Sequence, residues 1–99
     1  MIKAPEMRES DLQEQVLTAA HYLGWTLRYH TFDSRKSAAG FPDLVLCRPP
    51  RVLFVELKSE QGKLTSDQER WAVGLRACPG VEFFIWRPSN WPQVVQTLT

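Results

Sequence analysis

Apolar positions in this 99-residue chain follow two periods, one helical and one of strand type. Leu12, Val16, Ala19, Ala20 and Leu23 recur at helical spacing after a polar start, and Gly24 supplies a stop, so a helix is predicted over about 9–23. Trp25 to Tyr29 has the aromatic and β-branched content of a short strand, and the polar stretch from Thr31 to Gly40 reads as a loop. Asp43–Cys47 and Val52–Leu57 are apolar runs of strand length. Between them stands Arg48-Pro49-Pro50-Arg51, whose prolines cannot occupy a strand interior, so the two runs are predicted to form a hairpin. After a second loop at Gln61–Leu64, Thr65 or Ser66 caps a helix with the stripe Trp71, Ala72 and Leu75, which Pro79-Gly80 ends. Val81 to Trp86 is nearly all apolar, the pattern of a strand covered on both faces; Ser89 then caps a last helix with Trp91, Val94, Val95 and Leu98 inward.

The order α-β-β-β-α-β-α, free of repeats and linkers, predicts a single α/β domain over residues 1–99. Its 43% apolar content, with four Trp and five Phe, is enough to fill one core at this small size. No apolar run reaches about 18 residues and no basic-then-apolar leader opens the chain, so a cytoplasmic protein with no membrane contact is expected. Cys47 and Cys78, alone and far apart, suggest neither a disulfide framework nor a zinc site and read as buried apolar thiols. Net charge is +1 overall, but residues 28–63 hold seven bases against four acids and the remainder five against seven, so a locally positive region can meet phosphates.

The chemistry lies where the apolar pattern is broken. An unpartnered buried charge costs several kcal/mol or more, roughly, so charged residues in covered strands require a reason. Asp43 opens one arm of the hairpin, and Glu56 and Lys58 end the other. A symmetric hairpin centred between Pro49 and Pro50 pairs residues whose numbers sum to 99, which sets Asp43 opposite Glu56. Opposed residues have Cβ atoms about 4.5–5.5 Å apart, and two carboxylates that close repel unless a cation lies between them. Mg²⁺ suits such a pair, and strand periodicity brings Lys58 onto the same face. Glu9 shares the apolar face of the first helix with Leu12 and Val16, whereas Glu14 points away; Glu9 is therefore the helix-one candidate. On the second helix Gln68 precedes Trp71, Ala72 and Leu75 by three, four and seven, which turns its amide toward the sheet, with a capping-box role beside Thr65 as the competing reading. His21 and His30 lack metal-ligand spacing and read as non-catalytic, Trp86 and Trp91 read as core, and Arg35, Lys36 and Lys63 are candidate phosphate contacts.

Gly40-Phe41-Pro42-Asp43, then Val55-Glu56-Leu57-Lys58, then Gly62-Lys63-Leu64-Thr65-Ser66-Asp67-Gln68 together resemble the VRR-NUC branch of the PD-(D/E)xK nucleases, in its compact stand-alone form. The resemblance implies a restriction-endonuclease-like αβββαβ core with a central mixed sheet flanked by helices. It also implies that Asp43, Glu56 and the Leu57 carbonyl hold Mg²⁺ or Mn²⁺, that Glu9 completes the site, and that Lys58 is the catalytic lysine with Gln68 beside it. The expected activity is metal-dependent, structure-selective DNA endonuclease cleavage of the Holliday-junction-resolving kind, by a homodimer acting on branched DNA with no organic cofactor. Flap-type cleavage and a non-catalytic nucleic-acid-binding module that keeps the fold are the alternatives.

Overall fold

A computed structural model describes residues 7–32 and 36–99. The helical period becomes α1 (Glu9–Tyr22), and Leu12, Val16 and Ala20, spaced by four, are its fully buried residues. Four strands follow in a single mixed sheet of order β1-β2-β3-β4: β1 (Leu27–His30), β2 (Leu44–Arg48), β3 (Arg51–Leu57) and β4 (Glu82–Trp86). The first three are antiparallel neighbours; β4 joins β3 in parallel after α2 (Ser66–Arg76) has made the crossover such a pairing needs. A one-turn 3₁₀ helix (Pro88–Asn90) leads into α3 (Trp91–Leu98).

The hairpin has the expected register, running from Leu44↔Val55 to Arg48↔Arg51 with every pair summing to 99. Side-chain alternation then sorts the sheet into two faces. Leu44, Leu46, Leu53, Val55, Leu57 and Trp86 turn toward α1 and α3, where they form one buried cluster with Leu12, Val16, Ala20, Val94 and Leu98. The other face carries the row Tyr29, Val45, Phe54 and Phe83, and beyond it Asp43, Glu56 and Ile85. α2 lies over part of that face, where Phe41 packs edge-on against both Trp71 (5.0 Å) and Phe54 (6.1 Å).

Four expectations are corrected. Trp25 lies outside the first strand, which starts at Leu27: its ring is fully buried and its indole N–H donates to the Leu98 carbonyl at 2.9 Å, so it closes the core where α1 ends and α3 finishes. β4 is half-buried along most of its length rather than covered on both faces, because it is an edge strand. In the last helix Val95 is exposed while Val94 and Leu98 point inward, and Asn90 rather than Ser89 occupies the N-cap. Neither thiol is buried: Cys47 is half-buried on β2, and Cys78 is exposed in the turn after α2. Among the described residues no helix is long and apolar enough to cross a membrane.

Candidate active site

The two carboxylates meet at the open end of the hairpin, away from its Pro49-Pro50 turn. Asp43 lies one residue before β2 and half-buried, and its Oδ2 accepts the backbone N–H of Leu57 from the neighbouring strand at 2.8 Å. Glu56, the penultimate residue of β3, is only 3% exposed. Its Oε1 accepts an N–H from the Gln68 amide at 3.0 Å, and its Oε2 is buried with no hydrogen-bond partner. A buried carboxylate oxygen without a donor is unusual enough to require a function or an occupant.

Burial first, then the nearby Asp43 charge, push the Glu56 carboxyl up to about 9 from its ordinary 4.5; Glu9 adds to the rise and Lys58 opposes it. Glu56 therefore keeps its proton at neutral pH unless another positive charge arrives. Lys58 follows β3 directly, is 8% exposed, and its backbone N–H donates to the Trp86 carbonyl at 3.0 Å. Its positive charge is felt by Glu56 but is not enough to bring that carboxyl back to its ordinary range.

Gln68 performs both of the roles that its sequence position suggested. Its backbone N–H donates to Thr65 Oγ1 (3.2 Å) while its side-chain Oε1 accepts the Thr65 N–H (2.9 Å), a complete capping box. The amide nitrogen left over donates to Glu56, so the start of α2 and the carboxylate are fixed by one side chain. Gly40 makes this approach possible. Its φ is +78°, and a Cβ there would stand 2.4 Å from the Asp67 carbonyl carbon and 2.6 Å from the Gln68 nitrogen; with any other residue the loop before Asp43 would push α2 away from the sheet.

Hydrogen bonds thus gather Asp43, Glu56, Leu57 and Gln68, with Lys58 beside them. Glu9, at the first position of α1, is exposed and acts on Glu56 through its charge. Lys36 and Lys63 are exposed; Arg35 lies outside the described residues. His21 is exposed at the end of α1, and the His30 ring lies tilted against Phe32, with ring centroids 4.3 Å apart. Trp86 is 3% exposed and Trp91 packs partly buried against the core. Among the described residues no three His, Cys, Asp or Glu side chains gather into a group able to hold a metal. A hard ion that keeps its waters needs only one or two protein carboxylates, so the pair with its orphaned oxygen fits Mg²⁺ better than a closed protein cage would.

The sequence profile of the VRR-NUC domain matches residues 3–89. The chain belongs to the VRR-NUC family. A solved structure described as a VRR_NUC domain protein superposes with a TM-score of 0.61 at 18% identity, covering 96% of this chain and 93% of that one, a likeness of fold. No curated protein matches in sequence. VRR-NUC membership makes this a nuclease domain of the PD-(D/E)xK type, for which DNA is the implied substrate and dependence on a divalent metal the general rule. The profile ends at Ser89, yet the fold runs on through α3, whose Val94 and Leu98 complete the core.

Sequence reading passed over Arg87 and the spatial role of Gly40. Gly40 was visible as part of the motif, and a glycine two residues before Pro-Asp signals a positive φ or a close approach. A lone Arg before Pro88 carries no such signal.

Proposed function

We propose that this VRR-NUC protein is a Mg²⁺- or Mn²⁺-dependent DNA endonuclease that hydrolyses phosphodiester bonds in branched DNA, in the manner of a junction-resolving enzyme, and works as a homodimer. The observation that carries the metal-dependent chemistry is the Glu56 Oε2: buried, without a donor, and set beside a second carboxylate. Support for branched DNA and for pairing of two chains comes from the resemblance to compact stand-alone members.

Asp43, Glu56 and the Leu57 carbonyl would hold the ion. Leu57 turns its N–H toward Asp43, and a strand residue presents its N–H and C=O to the same side, so that carbonyl faces the carboxylates as well. When bound, a divalent ion supplies Lewis-acid stabilisation of phosphate charge and lowers the pKa of water. Gln68 fixes Glu56 through Oε1, which reserves Oε2 for the ion. Lys58 places an ammonium on the same face, where it orients the attacking water and offsets charge that grows on the phosphate. Glu9 adds negative charge at the margin, and Arg35, Lys36 and Lys63 contact flanking phosphates.

The test is a nicking assay on four-way-junction, flap, nicked and plain duplex DNA with each cation, comparing wild type with Asp43→Ala, Glu56→Ala and Lys58→Ala. Cleavage of the junction, lost on the order of 10²–10³-fold or more in each variant, is expected. Full activity in all three variants refutes the site; preference for flaps refutes the substrate; a monomeric mass at micromolar concentration refutes the dimer.

A further inference from the structure

Arg87 follows β4 and has no part in the chemistry described above. Its Nη1 gathers three backbone carbonyls of the turn after Lys58: Ser59 at 2.6 Å, Glu60 at 3.2 Å and Gly62 at 2.6 Å. The turn closes on itself through Gly62 N–H to the Ser59 carbonyl at 3.1 Å. Its other edge is held from the same corner, since the Glu60 carboxylate accepts both the backbone N–H and, at 3.0 Å, the hydroxyl of Ser89. Arg87 is itself fixed by Asn90, whose Oδ1 accepts the Arg87 N–H at 2.8 Å. The segment after Lys58 is thereby bolted to the segment after β4, one residue beyond the point where Lys58 N–H meets the Trp86 carbonyl.

The turn bears directly on the lysine. A Cβ built on Gly62 would lie 3.5 Å from Lys58 Cδ, an ordinary contact, and 3.0 Å from Ser59 Oγ, so the turn runs alongside the aliphatic stem of the lysine. Lysine has four rotatable bonds and no intrinsic preference for one direction; a wall along its stem removes that freedom. We propose that Arg87 is a positioning residue for Lys58: by holding the 59–62 turn, it fixes where the ammonium stands relative to Glu56. The proposal rests on the nuclease reading above. Arginine suits the task because its charge does not titrate and its Nη1, with two N–H donors, is shared among the three carbonyls.

Single-turnover cleavage by wild type, Arg87→Ala, Lys58→Ala and the double variant tests it, with folding checked by circular dichroism. Arg87→Ala is expected to lower the cleavage rate on the order of 10²-fold, the scale of a misplacement of about 1 Å, with little change in DNA affinity. The same substitution is expected to cost almost nothing further when Lys58 is already alanine. Millimolar guanidinium should restore part of the rate to Arg87→Ala and none to Lys58→Ala. Should Arg87→Ala fail to fold, Arg87→Lys replaces it in the same cycle, with a smaller loss that again depends on Lys58. Wild-type rates in the Arg87 variants, or losses that multiply in the double variant, overturn the positioning role alone. Absence of cleavage by the wild type overturns the nuclease reading with it.

Discussion

The two ends of the β2–β3 hairpin handle charge in opposite ways. At the turn end, Arg51 makes a two-pronged pair with Glu82, both contacts at 2.7 Å, and donates to the Thr97 carbonyl at 3.0 Å. Arg48 donates to the carbonyls of Leu23 (2.8 Å) and Leu98 (3.1 Å), and both guanidinium groups lie over the Trp25 ring, at 4.6 and 5.1 Å. Every charge there has its complement. At the open end two carboxylates are brought together against their mutual repulsion, one oxygen has no donor, and the Glu56 carboxyl stands near 9. Both ends present charged residues at the margin of apolar strands, so composition alone does not tell them apart; satisfaction does. Charges that are fully paired hold the sheet to α3, while the incompletely paired ones remain available for a ligand.

That contrast yields graded expectations. The largest effect is for Glu56→Gln, which should abolish metal-dependent nicking, on the order of 10²–10³-fold, yet raise the melting temperature of the metal-free protein at pH 8. A variant that melts lower there would show that the site is an ordinary structural pair. Next, Arg51→Ala at the satisfied end should cost about 1–3 kcal/mol in denaturant unfolding by stranding the Glu82 carboxylate, with the cleavage rate per folded molecule unchanged. A loss of activity without loss of stability would reverse the roles of the two ends. Gln68→Ala should lower cleavage about tenfold and stability by about 1 kcal/mol together, because it removes the Glu56 contact and half of the capping box at once.

The last test is the pH dependence of the metal-free protein. Because the folded protein raises the Glu56 pKa from 4.5 to about 9, this group's stabilising contribution is whole below about 4.5 and is lost as the pH climbs through about 9. Melting curves in EDTA should therefore fall across that window more steeply for wild type than for Glu56→Gln. Parallel curves would mean that Glu56 is ionised throughout.

Local signals carried the hairpin, its register and the pairing of Asp43 with Glu56, since two prolines mark the turn and the side-chain period is two. The placement of Gln68 was legible because helical spacing relates it to Trp71 and Leu75, and its two roles need no compromise between them. What escaped depended on position in the whole molecule. Trp25 has strand-like neighbours, and only the arrival of α3 makes it core. β4 has a fully covered pattern, but its place at the sheet edge leaves it half open. Arg48 and Arg51 counted toward the positive region, yet carbonyls and Glu82 occupy them; Arg28 is likewise bound to the Trp25 carbonyl at 2.6 Å. Arg28 and Arg48 keep their charge, but fewer guanidinium groups are free to contact a phosphate directly than the residue count suggests.

The hairpin's strict register has a consequence for how the gene can vary in length. Residues added within the Pro49-Pro50 tip can loop out and leave the arms as they are, whereas one residue added between Leu44 and Cys47 shifts parity and turns Asp43 to the opposite side of the sheet unless a bulge absorbs it. Insertions of odd length in that arm should thus silence the protein and also weaken its fold, because Leu44 leaves the core as Asp43 turns toward it, and a compensating deletion in the same arm should revive both.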